Sequence, residues 1–173
     1  MKLIVFFNGW GMNNFKFSLE NEWEFKYVNY PYKYKCEKTD LNYEKIVFIG
    51  WSFGVYYLNK FLEENPFYQR YESIAINGTP DMLGERGIPE KMLKYTLQNL
   101  SEESLKMFYV NMGISDDKKN YLFNGKKDVS ELKAELSDFI EKGSLIYEID
   151  GEHFIFDEKN FLSRLVDVLD EIS

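Results

Sequence analysis

The stretch KIVFIGWSFG, from Lys45 to Gly54, carries the strongest fold signal in the chain. The apolar run at 45–49 is typical of a buried strand, and the pattern GVYYLNKFLEE at 54–64 predicts a helix directly after it. Between them stands a G-x-S-x-G motif with Ser52 at its centre. Glycines on both sides of a serine let a strand and a helix pass closely through a tight turn, which lifts the hydroxyl above the sheet. The stretch therefore predicts a nucleophilic Ser52 at the top of the sheet; the alternative is an ordinary glycine-rich turn between a strand and a helix.

Four further apolar runs predict the other strands of the same sheet. They lie at 2–7, 25–30, 73–77 and 145–149. Near-continuous apolar runs are typical of parallel strands that are covered on both faces. Helical patterns separate or follow them at 89–99, 101–112, 128–142 and 158–172. This alternation predicts an α/β fold with a mostly parallel sheet of about five strands.

Residues 81–143 interrupt the alternation, because this stretch contains three helical patterns and no convincing strand. In α/β proteins, ligands bind at the carboxyl ends of the strands, where an insertion between two strands would lie. We therefore expect a helical lid at 81–143 within a single domain spanning 1–173. The alternative is that these helices only cover the core.

Length, charge and composition exclude several classes of protein. The chain has 173 residues, which is about one domain. Its net charge of −8 argues against nucleic-acid binding, which requires a cationic surface. Apolar residues make up 45% of the chain, yet no apolar run approaches the ~20 residues of a membrane span. With Cys36 as the single cysteine, we expect a soluble, cytoplasmic globular protein that forms no internal disulfide.

Two backbone amides are candidates for stabilising negative charge beside Ser52. The N–H of Phe53 directly follows the serine, and Trp10 lies in a Gly-Trp-Gly turn after the first predicted strand. Enzymes that pass through a tetrahedral intermediate hold its oxyanion with two such donors. The expected oxyanion hole is therefore Trp10 and Phe53, with the Trp10 indole forming a wall of the acyl pocket. The alternative for Trp10 is simple packing over a glycine turn.

His153 is the only histidine in the chain and follows the last predicted strand. A nucleophilic serine needs a base that takes its proton and later returns it to the leaving group. The order of serine and then histidine, on a loop after the final strand, fits this chemistry. We therefore expect His153 to act as the general base for Ser52.

The acid that would orient His153 is less sharply defined by the sequence. Asp81 follows the fourth predicted strand, next along the sheet from the serine, and is our candidate. The alternative is that Asp81 is a turn residue after Pro80. Asp128 is better explained as a helix N-cap, and Asp116 and Asp117 as parts of a solvated turn. Asp150 and Glu152 flank His153 so closely in sequence that they would rarely reach its Nδ1 nitrogen.

The sequence predicts neither a metal site nor a cofactor. One histidine and one cysteine, far apart, do not make a zinc site. The chain also lacks the glycine-rich phosphate-binding motifs of nucleotide-binding proteins.

Several sequence strings occur together in an order that resembles one known family. They are NGWGMN (8–13), GWSFG (50–54), INGT (76–79) with GIP (87–89), TLQNL (96–100) and EIDGEHF (148–154). The chain resembles the BioG-type pimeloyl-acyl carrier protein methyl ester esterases of biotin biosynthesis over nearly its whole length. The NGT, GIP and GEHF strings are more specific than G-x-S-x-G alone.

The resemblance implies an α/β-hydrolase core under a helical lid. It implies a serine esterase that removes the methyl ester from pimeloyl-acyl carrier protein, with acyl carrier protein as its partner. Ser52 then matches the nucleophile, His153 the base, and Trp10 and Phe53 the oxyanion positions. The chain is shorter than expected for the family just before residue 145, where the usual acid would stand. Either Asp81 replaces that acid, or the site works as a Ser–His pair, or activity is reduced.

Two other functions remain open from the sequence. The same site could hydrolyse other acyl esters or thioesters, or the chain could bind acyl carrier protein without catalysis. Because that carrier is acidic, binding by this acidic chain would need a local cationic patch. The candidate cations are Arg70, Arg86, Lys91, Lys94, Lys106, Lys118, Lys119, Lys126 and Lys127.

Overall fold

The computed structural model describes most of the sheet and parts of every predicted helical segment. The described residues are 1–13, 15–16, 22–35, 37, 40, 42–80, 88–111, 129–138, 148–149 and 158–171. For residues 138, 148–149 and 158–164 the backbone alone is described.

Within these residues, five strands form one sheet in the order β2-β1-β3-β4-β5, and all neighbouring pairs are parallel. The strands are β1 (Lys2–Phe7), β2 (Trp23–Val28), β3 (Lys45–Trp51), β4 (Glu72–Ile76) and β5 (Glu148–Ile149). The predicted α/β fold with a parallel sheet is therefore confirmed. Because every strand runs the same way, all of their carboxyl ends meet at one edge.

The predicted position of the second strand was wrong by two residues. It was expected at 25–30, but β2 pairs with β1 in a register that runs from Lys2 opposite Trp23 to Phe7 opposite Val28. The length and position of the partner strand therefore decide where β2 begins and ends. The apolar run alone could not show this, because it continues beyond the partner.

The described helices are α1 (Phe53–Glu64), α2 (Glu90–Asn99), α3 (Glu102–Asn111), α4 (Val129–Asp138) and α5 (Glu158–Glu171). A short 3-10 helix at Pro66–Arg70, which was not predicted, links α1 to β4. The sequence predicted that α2 begins at Pro89. In the structure the helix begins one residue later, at Glu90, and Pro89 is its N-cap. Ser101 caps α3, since its hydroxyl accepts the Ser104 N–H at 3.2 Å. The cap predicted at Asp128 lies outside the described residues.

Alternating side chains of the strands place one apolar cluster on each face of the sheet. Ile4 and Phe6 of β1 belong to the first cluster, whereas Leu3, Val5 and Phe7 belong to the second. Helix α1 covers the second face with three apolar side chains: Leu58, Phe61 and Leu62. Helix α5 contributes Leu165 and Leu169 to the first cluster.

The helices between β4 and β5 add to the first cluster. Their buried apolar side chains in it are Leu93, Leu105, Tyr109, Leu132 and Leu136. The helical character predicted for this part of the chain is present at 90–99, 102–111 and 129–138. None of the helices in the described ranges has both the length and the apolar character that crossing a membrane requires.

Candidate active site

Ser52 occupies the single residue between β3 and α1, and its backbone is strained. Its φ is 52° and its ψ is −122°, whereas residues with a side chain seldom adopt positive φ. Such strain costs about 1–3 kcal/mol and persists only where the surrounding structure enforces it. The side chain of Ser52 remains half-buried, at the carboxyl edge of the sheet. The strand–turn–helix predicted from GWSFG is therefore present.

The two glycines of the motif are required by close backbone contacts. A Cβ at Gly50 would lie 2.7 Å from the Cα of Val55, and one at Gly54 would lie 1.9 Å from the carbonyl oxygen of Phe7. Both distances are too short for a side chain. The absence of side chains at 50 and 54 therefore lets α1 turn back closely over the ends of β1 and β3.

The ends of β1 and β4 border Ser52 on its two sides. On the β4 side, the Ser52 N–H donates to the carbonyl of Ile76 at 2.9 Å, and a Cβ at Gly78 would lie 2.3 Å from the Ser52 carbonyl oxygen. On the β1 side, a Cβ at Gly9 would lie 3.5 Å from the Cβ of Ser52. The backbone of Gly9 therefore runs directly beside the serine side chain.

The start of α1 creates a favourable environment for negative charge near Ser52. Phe53 is the first residue of α1, and the N–H groups of a helix's first turn point out of its N-terminus with a partial positive charge. The amide of Ser52 itself is bonded to Ile76. The Phe53 amide, which the sequence predicts as an oxyanion donor, is compatible with this arrangement.

Trp10 is a buried side chain with a fixed orientation. Its ring packs edge-on against Phe53 and Phe108, with centroid distances of 6.5 and 5.2 Å. Its indole N–H donates to the carbonyl of Leu132 in α4 at 3.1 Å. The ring belongs to the apolar core, as the packing alternative predicted, while its backbone directly follows Gly9 beside Ser52.

His153 and Asp81 lie outside the described residues. The strands that precede them are described: β4 lies between β3 and β5, and Ile149 of β5 pairs with Ile76 of β4. Strands in a sheet are about 4.8 Å apart, so the ends of β3 and β5 are about 10 Å apart. Within the described ranges, no group of three or more His, Cys, Asp or Glu side chains is placed to hold a metal ion.

The cationic side chains proposed for partner binding do not all share one surface. Arg70 lies just before β4, at the opposite edge of the sheet from Ser52, where it stacks 3.9 Å from the ring centroid of Phe67. Lys94 of α2 forms an ion pair with Glu90 at 2.5 Å. Lys91 of α2 and Lys106 of α3 are exposed. The other candidates are outside the described residues; they are Arg86, Lys118, Lys119, Lys126 and Lys127.

Three polar residues near the site were missed by sequence reasoning. Tyr32 is buried, has a φ of 53°, and places its hydroxyl 2.8 Å from the carbonyl oxygen of Asn8 and 2.9 Å from Oε1 of Glu135. The hydroxyl of Tyr109 donates to the carbonyl of Gly11 at 2.5 Å. Glu135 follows Leu132 by three residues, so helical spacing could have indicated its burial.

Burial and the nearby Glu135 carboxylate raise the pKa values of both tyrosines. The shift is large for Tyr32, and burial is its main cause. Burial is also the main cause for Tyr109. Both phenols therefore stay neutral and able to donate a hydrogen bond over the ordinary pH range.

A parallel sheet with a strained serine between a strand and a helix is the arrangement of α/β-hydrolase-like proteins. The family comparison agrees with this class. The profile described as "Pimeloyl-ACP methyl esterase BioG" matches residues 1–141, so the chain belongs to the BioG family. The resemblance seen in the sequence is thereby confirmed for the family.

Two known proteins are similar to this chain. A crystal structure of BioG from Haemophilus influenzae matches with a TM-score of 0.57 and 23% identity, covering 80% of this chain and 65% of that one. This similarity supports the fold. A curated relative from Bacteroides fragilis (strain 638R), named malonyl-[acyl-carrier protein] O-methyltransferase, is 34% identical over 140 residues. The alignment covers 77% of this chain but only 28% of that relative.

Proposed function

We propose that this protein is a serine esterase that hydrolyses the methyl ester of pimeloyl-acyl carrier protein. The observation that carries the proposal is the backbone of Ser52, which holds φ at 52° between a strand and a helix. A strained turn of this kind is costly, and it places a hydroxyl where a substrate can reach it. A second support is the approach of Gly9 to Ser52, because the expected Trp10 donor is the next residue along the same backbone.

In the proposed reaction, the Ser52 oxygen attacks the ester carbonyl while His153 takes the serine proton. The amides of Trp10 and Phe53 hold the negative oxygen of the tetrahedral intermediate. The intermediate collapses as His153 gives the proton to the departing methoxide, which leaves as methanol. Water then attacks the acyl-serine, again with His153 as base, to release the free carboxylate and restore Ser52. Asp81 would keep the imidazole in the required orientation.

The choice of substrate is supported by the comparisons. The family is described by its action on pimeloyl-acyl carrier protein methyl ester, and 141 residues of this chain match it. The relative from Bacteroides fragilis is named for adding a methyl group to a malonyl-carrier substrate. An esterase makes the opposite net change, because it removes the methyl group of an ester as methanol and leaves the free acid. Because the chain spans 28% of that relative, methyl transfer is not proposed for it.

The proposal is tested by measuring methanol release from methyl pimeloyl-acyl carrier protein. Ser52→Ala and His153→Ala should each lower the rate by roughly four to six orders of magnitude, since nucleophile and base act as a unit. Ser137→Ala is the matched control, because Ser137 is an exposed serine on α4. Near-normal turnover by either active-site variant would overturn the proposal.

A substrate panel and a covalent probe separate the remaining functions. Faster cleavage of acyl thioesters than of methyl esters would show a thioesterase instead. A fluorophosphonate labels only an activated serine, so an unlabelled Ser52 in the wild-type chain would point to a non-catalytic carrier binder.

The role of Asp81 as the acid that orients His153 is tested by substitution. Asp81→Asn should slow turnover, while the control Asp116→Asn should not. If the two variants turn over substrate at the same rate, Asp81 is a turn residue.

A further inference from the structure

The loop that follows β1 is bound to the helices of the 81–143 segment. We call residues 8–12 the Gly9 loop, since Gly9 is the residue that lies against Ser52. From α3, the hydroxyl of Tyr109 donates to the carbonyl of Gly11 at 2.5 Å. From the loop, the indole of Trp10 donates to the carbonyl of Leu132 in α4 at 3.1 Å. Both helices thus hold a segment that borders the nucleophile.

A third connection passes through Tyr32 to the start of the same loop. The Tyr32 hydroxyl lies between the Asn8 carbonyl oxygen, at 2.8 Å, and Oε1 of Glu135 in α4, at 2.9 Å. Two features fix the position of Tyr32. Its backbone has a φ of 53°, and its ring stacks on Tyr57 with a centroid distance of 3.7 Å. Strained backbone of this kind often accompanies a functional constraint.

Packing alone does not explain a carboxyl group at position 135. Glu135 is 1% exposed, and its neighbours Leu132 and Leu136 on α4 are buried apolar residues. Burying a carboxyl group is costly unless its hydrogen bonds repay the loss of water. An apolar residue of the same size would fill this space at a lower cost.

The single proton of the Tyr32 hydroxyl determines which side chains at position 135 can hydrogen-bond to it. A phenol has one proton, so Tyr32 can donate to Asn8 or to Glu135, but not fully to both. A group at position 135 that can itself donate, such as an amide or a protonated carboxyl, leaves the Tyr32 proton to Asn8. An alkyl group there also leaves the proton to Asn8, but it makes no hydrogen bond to Tyr32, so the connection between Tyr32 and α4 is lost.

We propose that Glu135 is a positioning residue that acts through Tyr32 on the Asn8 carbonyl, so that the Gly9 loop beside Ser52 is in place only while α4 is seated on the sheet. The inference rests on the proposed esterase function. It adds that α3 and α4 do more than cover the apolar core, because they set the backbone geometry of the loop that carries the expected Trp10 donor. Disturbing this link should therefore slow the chemical step more than it weakens binding.

The test compares kcat and KM for a small p-nitrophenyl ester, which needs no carrier protein. Glu135→Leu should lower kcat about 10- to 100-fold, as expected when one oxyanion donor is misplaced, with KM changed less than about threefold. Glu135→Gln should stay within a few-fold of wild type, because its amide can donate to Tyr32. Tyr32→Phe keeps the stacking on Tyr57 and should lower kcat as Glu135→Leu does.

A double variant tests whether Glu135 acts through Tyr32. In the Tyr32→Phe background, Glu135→Leu should cause little further loss, because residues in one network are not additive. The matched control is Tyr43→Phe. Its hydroxyl contacts Glu24 at 2.5 Å on the exposed surface, at the opposite edge of the sheet. This variant should keep the wild-type kcat.

Three outcomes would overturn the inference. They are an unchanged kcat in both Tyr32→Phe and Glu135→Leu, a Glu135→Gln variant as slow as Glu135→Leu, and fully additive losses in the double variant. If Glu135→Leu does not fold, then Tyr32→Phe and Glu135→Gln still decide the question. Failure of the proposed function looks different, because the wild-type chain would then neither cleave the ester nor react with a fluorophosphonate.

Discussion

Gly54 and Phe7 lie so close that a Cβ at position 54 would be 1.9 Å from the Phe7 carbonyl oxygen. This contact joins the first turn of α1 to the last residue of β1, two elements far apart in sequence. It fixes how deeply α1 settles at the end of the sheet. Since Ser52 stands at the start of the same helix, the contact also fixes the height of the serine.

Gly54→Ala should therefore destabilise the fold strongly. The added methyl group meets backbone atoms, which cannot rotate away, so α1 would have to move. Overpacking costs about 1–3 kcal/mol and occasionally more, and we expect a loss of about 3 kcal/mol or more in the free energy of unfolding. Urea denaturation measures it. Gly9→Ala is the contrast, because its Cβ would be 3.3 Å from the nearest Trp51 atom, and this variant should fold with a smaller loss.

Ser52→Gly should be more stable than Ser52→Ala. Both variants lose the hydroxyl, but only glycine adopts a φ of 52° without steric cost. We expect the glycine variant to exceed the alanine variant by about 1–2 kcal/mol in the free energy of unfolding. Thermal and urea denaturation of the two proteins measure the difference. Equal stability would mean that the turn is not strained in solution.

Gly78→Ala should impair turnover as well as stability. A Cβ at this position would lie 2.3 Å from the Ser52 carbonyl oxygen, so the turn after β4 and the serine must separate. Small displacements of a reacting group can cost up to about 100-fold in rate. We expect kcat for an ester substrate to fall at least about tenfold. A variant that loses stability but retains wild-type kcat would contradict this prediction.

Asp40→Asn should lower stability at neutral pH and flatten the acid side of the stability curve. Burial by itself raises the pKa of Asp40, but hydrogen bonds from Lys26, Tyr34 and the Glu37 amide outweigh it and hold the pKa below its usual value. A group whose pKa is lowered by folding stabilises the protein above its unfolded pKa of about 3.9, and this contribution is lost as the pH falls through its folded pKa. We expect the variant to lose about 1–3 kcal/mol at pH 7.

The alkaline side of the same curve should respond through Lys26. Its hydrogen bond to Asp40 raises the Lys26 pKa, so its contribution is complete below about pH 10.4 and is lost as the pH rises through the folded pKa. Wild type and Asp40→Asn are compared by urea denaturation from about pH 2 to about pH 11, a range that includes the titration of both the carboxyl and the ammonium group. Glu44→Gln is the control, because Glu44 is exposed and its ion pair with the N-terminus is long, at 3.9 Å. A constant difference at all pH values would exclude the assigned role of Asp40.

Much of the fold was predictable from local patterns. The apolar run before Ser52 and the helical pattern after it placed β3 and α1 to within two residues. The spacing of Gly50 and Gly54 around the serine predicted the turn. These features depend on neighbours within a few positions, and backbone sterics act over that range.

The connections of the Gly9 loop were not predictable in the same way. Trp10 and Leu132 are 122 positions apart, and Tyr32 and Glu135 are 103 positions apart. Each residue taken alone looks like an ordinary core aromatic or helix residue. Helical spacing from Leu132 indicates that Glu135 is buried, but no local pattern shows that its partner is the hydroxyl of Tyr32.

By itself, the sequence determined the kinds of elements, their order and the position of a strained serine between a strand and a helix, because these follow from short-range sterics and from the spacing of apolar side chains. Only the tertiary structure decided which loop borders that serine and which helices hold the loop. Those contacts depend on the order of the strands and on how the helices dock, because the burial of apolar side chains brings together residues that are far apart in sequence.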